Sequence, residues 1–332
     1  NPNDQWQNYG FNIYNSNINL EYNNWGECGS EEFIDNDILL KPRDGQELNY
    51  IHVPFSWKQL PDAVGYNFEI SQSELFSNSI LIYTDINSIF IKDNIEWNSS
   101  YFWRIQPVHL DSTIGIWSNP NVFFTGDVEF DLSAEIYNGI DLSYSYTIFS
   151  DWNGVRTSIV DLDGKEIWNS GSFGFMLNDI SEYGQMFGFS YLDFPNNTGI
   201  EINYDKEVIW NAPDVIDPHA FIQISNDNYM GFTPSSDNFG PIPLGPWTSD
   251  YQNIGYLADG ITSEIVYKAQ SLTEFDKETK EVVWSWDPFD YFTMSHSDLY
   301  GGTWWHSWMD GFHDWTHSNA FFYDNTNNAV YI

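Results

Sequence analysis

Two histidine-containing segments carry the residue types best suited to chemistry. Pro218-His219-Ala220-Phe221 precedes a short apolar run and an Asn226-Asp227-Asn228 turn. Asp314-Trp315-Thr316-His317 precedes a second apolar run and an Asn-rich turn. A protonated imidazole is a hydrogen-bond donor that can offset negative charge developing on an oxygen. Because each histidine stands where a strand begins, the pattern predicts that His219 and His317 occupy equivalent positions and point into one channel.

Other residues near His317 suggest two further sites. His306, His313 and His317 form a sequence cluster, and a spacing of four suits zinc ligands on a helix. Gly311, Trp315 and Thr316 disfavour a helix there, and no carboxylate–His pattern completes a site, so no metal is assigned. Four tryptophans in the same stretch fit either an aromatic lid over a phenolic ring or ordinary core packing: Trp304, Trp305, Trp308 and Trp315.

Composition indicates the elements that must position these residues. The 332-residue chain contains 16 Trp, 21 Tyr and 25 Phe, with frequent turn residues and short alternating apolar runs. This pattern predicts an all-β protein. The formal net charge of −37 disfavours nucleic acid and anionic membranes as partners. A single cysteine, Cys28, excludes an internal disulfide framework, and no apolar run is long enough to span a membrane.

The chain divides into three parts. Residues 1–47 are Asn-rich and contain an alternating stretch, Phe11–Leu20, which is typical of an arm or of a poorly ordered leader. Residues 48–126 alternate aromatic and polar positions between regularly spaced turns, as in a β-sandwich. The Trp and Tyr positions of this part resemble those of a bacterial fibronectin type III-like domain. Residues 127–332 contain a repeat.

The repeat is a hairpin that ends in tryptophan. Ser158–Trp168, Ile200–Trp210 and Leu272–Trp284 each read as strand, Asp/Asn- and Lys-containing turn, and strand. The first two start 42 residues apart, close to the length of one four-stranded propeller blade. A Pro-, Gly- and Ser-rich stretch of about residues 234–266 lengthens the next interval and is interpreted as an inserted loop. Residues 317–332 predict a hairpin that opens another blade.

The two histidine segments, in this repeat context, resemble bacterial arylsulfotransferases over about residues 130–332. The resemblance implies an incomplete β-propeller after the sandwich. It implies His317 and His219 as charge-stabilising catalytic residues, and Trp315, Trp305 and Asn319 as substrate-binding residues. It implies no cofactor. In that family the first segment reads His-His-Asp-Phe, whereas this sequence has Pro218 and Ala220 in place of one His and the Asp. An Arg and a nucleophilic His of the family have no counterpart in this sequence.

The resemblance implies sulfuryl transfer from an aryl sulfate to a phenol if the full-length chain supplies those two groups. The alternative is a non-catalytic extracellular protein for adhesion, glycan binding or filament assembly by strand addition. In the alternative, Phe11–Leu20 is the candidate donor strand for the edge at Ala329–Ile332 and the chain forms homo-oligomers. A chain that starts at Asn1, is acidic and has one cysteine fits a bacterial secreted, periplasmic or cell-surface protein.

Overall fold

A computed structural model of the protein describes residues 37–130, 133, 145–191, 198–296 and 304–332, except for the side chains of residues 305, 306 and 308. Most of the segment interpreted as an arm, including Phe11–Leu20 and Cys28, lies outside the described residues. The described chain forms 24 strands and two short α-helices, so the all-β prediction is confirmed. Neither of these helices is long and apolar enough to cross a membrane.

The strands fall in chain order as follows: β1 Leu39–Lys41, β2 Gln46–Leu48, β3 Val53–Trp57, β4 Ala63–Ser71, β5 Ile80–Thr84, β6 Ser88–Ile91, β7 Ser100–His109, β8 Asn121–Thr125, β9 Thr147–Asp151, β10 Arg156–Val160, β11 Glu166–Asn169, β12 Phe175–Ile180, β13 Met186–Ser190, β14 Thr198–Ile202, β15 Val208–Val215, β16 Phe221–Gln223, β17 Tyr229–Pro234, β18 Asn238–Pro241, β19 Ser263–Lys268, β20 Gln270–Phe275, β21 Val282–Trp286, β22 Phe312–Asp314, β23 Phe322–Asp324 and β24 Ala329–Tyr331. The helices are α1 Thr248–Asn253 and α2 Trp304–Asp310.

The chain folds into two compact units. The sandwich unit holds the described residues up to Ser150 together with Arg156–Ser172, and the meander unit holds Asp151–Val155 and Phe173–Ile332.

The sandwich unit contains a three-stranded sheet, β1-β3-β6, and a five-stranded sheet, β2-β8-β7-β4-β5. Side chains of β3 alternate between buried and half-buried, so that Phe55 faces the second sheet. Its ring contacts Phe68, Trp103 and Phe123 on β4, β7 and β8, with centroids 4.8, 5.2 and 5.7 Å away. The predicted sandwich is therefore present, and its strands β1 and β2 begin before residue 48.

All three hairpins of the sequence repeat are present as antiparallel strand pairs. They are β10–β11, β14–β15 and β20–β21. In the last two, Lys206 and Lys280 adopt positive φ angles of 63° and 62° in the turn. The turn chemistry of the repeat therefore specifies local structure, as its sequence predicts.

The meander unit contains two antiparallel four-stranded sheets. The first meander sheet has the order β12-β13-β14-β15, and the second has the order β16-β17-β20-β21. They pack face to face through a buried cluster that includes Trp210, Phe221, Tyr229 and Phe275. The hairpin β23–β24 covers the opposite face of the second sheet, where Phe321, Tyr323 and Val330 pack against a cluster around Met230 and Leu272.

The insertion between β17 and β20 is structured. The interpretation of residues 234–266 as a loop followed from their Pro, Gly and Ser content, but β18, α1 and the start of β19 lie there. Buried Ile242, Trp247, Tyr251 and Tyr267 form a small core with Trp304 and Trp315. These apolar contacts, which lie far apart in the sequence, stabilise an insertion whose local composition favours turns. Strand β22 then joins β19 in parallel, giving the sheet β18-β19-β22.

Candidate functional site

The meander unit has a cavity of about 1150 Å³ that contains His317 in its lining. We distinguish a sheet wall, formed by Met230, Leu272, Glu274, Trp284 and Trp286, and a loop wall, formed by residues 315–320. The hairpin β23–β24 contributes Tyr323, Asn328 and Val330. The cavity therefore lies between the second meander sheet, the hairpin that stacks on it and the loop that precedes that hairpin.

The loop wall is held by hydrogen bonds to β19 and β20. The backbone N–H of Trp315 donates to the carbonyl oxygen of Lys268 at 2.8 Å, which continues the β19–β22 pairing by one residue. The amide oxygen of Gln270 accepts from the Thr316 hydroxyl at 2.9 Å and from the Ser318 backbone N–H at 3.1 Å. His317 lies between these two anchors with a φ of 43°, in the left-handed region. The anchoring on both sides offsets the conformational cost of that backbone angle.

His317 and Asp314 form a carboxylate–imidazole dyad. The Nδ1 atom of His317 lies 2.5 Å from Oδ2 of Asp314. A carboxylate at Nδ1 fixes the imidazole with its proton on that nitrogen and leaves Nε2 available for a ligand. The His317 side chain is 59% exposed, so Nε2 is accessible to solutes. This geometry suits both proton transfer and charge stabilisation.

Trp315 and Asn319, two of the three residues predicted to bind substrate, line the same cavity. Trp315 is only 9% exposed, its ring stacks on Phe289 with centroids 4.7 Å apart, and its indole N–H donates to the His296 carbonyl oxygen. It is therefore packed in the core next to the loop wall and leaves little of its surface to the cavity, which is closer to core packing than to a lid. The side chain of Trp305, the third, lies outside the described residues.

His219 is located elsewhere in the meander unit. It precedes β16, its Nδ1 lies 2.6 Å from Oδ1 of Asp217, and its ring centroid is 5.4 Å from that of Trp152. His219 is not among the residues that line the cavity at His317. The structure thus brings together His317, Trp315 and Asn319, and the shared channel for the two histidines stays a prediction.

His313 does not face the cavity. It is 1% exposed, stacks on Trp304 with a centroid distance of 3.6 Å, and lies 3.0 Å from the Ser307 hydroxyl. The side chain of His306 is outside the described part of the chain. Within the described ranges, no group of three or more His, Cys, Asp or Glu residues could hold a metal ion.

Sequence reasoning did not identify Asp314 and Asp217 as partners of the histidines, nor the sheet wall. The sequence could have indicated the two aspartates, because Asp314 lies three residues before His317 and Asp217 two residues before His219. The sheet wall gave no such signal, since Glu274 and Trp284 meet only through the β20–β21 pairing.

No family model matches the chain, and no curated protein matches it. Among solved structures the chain is similar to the fibronectin type III domain of the human KIAA0970 protein, at 17% identity over 35% of this chain and 99% of that chain, with a TM-score of 0.24. An Fn3-like protein from Clostridium thermocellum matches at 16% identity over 26% of this chain and 91% of that chain, with a TM-score of 0.21. The α-L-rhamnosidase of Streptomyces avermitilis matches at 18% identity and a TM-score of 0.23, over 26% of this chain and 10% of that chain.

The chain thus spans about a tenth of the length of that rhamnosidase. At these TM-scores the similarities carry no argument about the fold or the function of the chain. The fibronectin type III-like character of the sandwich is carried by its own strand order, β1-β3-β6 against β2-β8-β7-β4-β5. The class that the fold defines is an all-β protein with a fibronectin type III-like sandwich.

Proposed function

We propose that the meander unit is part of an arylsulfotransferase-like β-propeller and that the cavity at Asp314 and His317 binds an aryl sulfate. Two four-stranded sheets with their strands in chain order, stacked face to face, have the form of propeller blades. The hairpin β23–β24 has the position of the first two strands of the next blade. The observation that supports binding of an aryl sulfate is that the dyad lies in the same cavity as the aromatic sheet wall.

The chemistry assigned to His317 follows from its surroundings. Sulfuryl transfer moves negative charge onto a phenolate oxygen and onto the sulfate oxygens, and a preorganised imidazolium stabilises that charge. Asp314 keeps the imidazole oriented through its contact with Nδ1. Trp284 and Trp286 line the cavity, and indole rings are suited to packing against a phenyl ring. The resemblance adds His219, together with an Arg and a nucleophilic His that have no counterpart in this sequence.

The test is a transfer assay with 4-nitrophenyl sulfate as donor and phenol as acceptor, in which released 4-nitrophenolate is measured by absorbance. His317→Ala should lower kcat/KM by about 10²–10³-fold, the usual effect of losing one preorganised donor. Asp314→Asn should lower it by a smaller factor, because the imidazole remains but loses its orienting charge. His109→Ala, in the sandwich unit, is the control and should leave the rate unchanged.

A normal rate for His317→Ala would contradict the assignment of that residue. Absence of transfer with a panel of aryl sulfates would favour the second candidate, a secreted non-catalytic protein for adhesion, glycan binding or filament assembly. The observation behind this candidate is that β24, as far as the structure describes the chain, pairs only with β23. An open strand edge can pair with another chain. Light scattering should then show a mass that rises with protein concentration, and a constant monomer mass would exclude filaments.

A further inference from the structure

A tryptophan on the first meander sheet is capped by the turn of the following hairpin. Trp210 on β15 lies opposite Glu201 on β14 and is 6% exposed. Its indole N–H donates to the backbone carbonyl oxygen of Lys277 at 2.8 Å. The ammonium group of Lys280 donates to the carbonyl oxygen of Asn211 at 2.9 Å and lies 5.2 Å from the Trp210 ring centroid. The β20–β21 turn thus covers the tryptophan that ends the preceding hairpin.

The second meander sheet carries the same pair without a cap. Trp284 on β21 lies opposite Glu274 on β20, in the register of Trp210 and Glu201. Trp284 is 42% exposed, whereas Trp210 is only 6% exposed. Ser285 and its counterpart Asn211 are both exposed, so the difference between the two sheets lies at the tryptophan. The flanking valines do not explain this difference, because Val208 and Val282 are both exposed, at 47% and 56%.

The first and second meander sheets are alike in the hairpin that packs on each of them. On the first sheet, β16–β17 places Phe221 and Tyr229 in the shared core. On the second sheet, β23–β24 places Phe321, Tyr323 and Val330 in the corresponding position. At the first interface a further hairpin is present, formed by the third and fourth strands of the second sheet, β20–β21. Among the described residues, the second interface has no counterpart of that hairpin. The cavity at the sheet wall, with Glu274, Trp284 and Trp286, occupies its place.

We propose that the sheet wall is a docking site for one kind of partner, a β-hairpin of the repeat type with lysine in its turn. The first strand of that hairpin pairs with the open edge of β24, and its turn places a backbone carbonyl oxygen on the indole N–H of Trp284. The turn lysine donates to the carbonyl oxygen of Ser285, as Lys280 does to that of Asn211. A basic turn also complements a protein with a formal net charge of −37.

This inference does not depend on the proposed function. It requires the Trp284–Glu274 pair and the edge of β24, and it leaves the Asp314–His317 dyad on the loop wall unused. Main-chain pairing of an added strand provides affinity, and the tryptophan cap provides the specificity for the turn. Both proposals place a ligand at Trp284, so a docked hairpin and a bound phenyl ring exclude each other there, and competition between the peptide and 4-nitrophenyl sulfate distinguishes them.

The test uses a fluorescein-labelled synthetic peptide with the sequence of Gln270–Trp286 and the complete 332-residue protein. Fluorescence anisotropy should show saturable binding. Trp284→Ala in the protein should weaken binding at least about tenfold, equivalent to about 1.4 kcal/mol. Replacing lysine by alanine at the peptide position of Lys280 should also weaken it. Trp152→Ala, which removes another exposed tryptophan of the meander unit, should leave binding unchanged.

Several outcomes would overturn the inference. Equal binding by a scrambled peptide or by the Trp284→Ala protein would remove the role of the cap, provided that circular dichroism shows the variant folded. Absence of binding at about 1 mM peptide, the weak end of the affinity range, would remove the hairpin as occupant. Protein dimers that Trp284→Ala abolishes would identify a second copy instead. Displacement of the peptide by 4-nitrophenyl sulfate, with no effect of the lysine replacement, would identify a small aryl ligand.

Discussion

Replacing Tyr229 by phenylalanine should destabilise the meander unit through a single buried hydrogen bond. Tyr229 is fully buried, and its hydroxyl donates to the carboxylate of Glu201, which is 2% exposed. Burial and this carboxylate raise the pKa of Tyr229, so the hydroxyl keeps its proton. The ring stacks on Trp210 with centroids 4.0 Å apart, and phenylalanine preserves that contact. The substitution therefore isolates the loss of the donor to a buried carboxylate.

The expected loss of unfolding free energy is about 2–3 kcal/mol, because hydrogen bonds to charged groups contribute about 1.5–3 kcal/mol and Glu201 stays buried. Urea unfolding followed by circular dichroism measures this loss. Since two compact units can unfold separately, amide hydrogen exchange in β14 and β17 should be measured in parallel. Exchange there should accelerate to match the free-energy change.

Tyr323→Phe is the matched control. Its hydroxyl donates to the exposed side chain of Asn328 at 2.6 Å, so the same chemical change should cost less than about 0.5 kcal/mol. If the two variants lost the same free energy within that margin, the buried tyrosine–carboxylate bond would not stabilise the stacking of the two sheets. The packing of the aromatic rings alone would then account for the interface.

Two further stability predictions concern the insertion and the tryptophan cap. Burial raises the pKa of Tyr251 and Tyr267 to about 12 each. Unfolded tyrosine ionises near pH 10, so the stabilisation is complete below that pH and is lost between about pH 10 and 12, at about 1.4 kcal/mol per pH unit for each tyrosine. Urea unfolding from pH 9 to 11 measures this slope, Tyr267→Phe should roughly halve it, and a flat profile would contradict the burial argument. Lys280→Met should lower the unfolding free energy by about 0.5–1 kcal/mol, because its ammonium group no longer contacts the Trp210 ring. Lys277→Met should have little effect in the same urea titration, because Lys277 contributes only its backbone carbonyl oxygen to the cap.

Features with a local cause could be predicted from the sequence. The Ile200–Trp210 and Leu272–Trp284 hairpins form where predicted, because the turn residues between their strands specify the reversal. The sandwich strands also follow their alternating pattern, as Val53–Trp57 shows.

Features that depend on distant contacts could not be predicted. The insertion reads as a loop because the partners of its core, Trp304 and Trp315, lie about fifty residues further along the chain. The parallel pairing of β22 with β19 has no turn or periodicity to indicate it. The burial of Trp315 depends on Phe289 and on the backbone of His296, neither of which its sequence neighbours reveal.

The parallel pairing of β19 with β22 has a consequence for how this site can change. Tyr267 pairs with His313 and Lys268 with Asp314, so the backbone position of the dyad aspartate is set by a strand that belongs to the insertion. A shift of β19 along its own direction would therefore move Asp314, and with it the loop that carries His317. The insertion thus helps to position a carboxylate–imidazole pair at a cavity whose lining contains none of the residues 234–266.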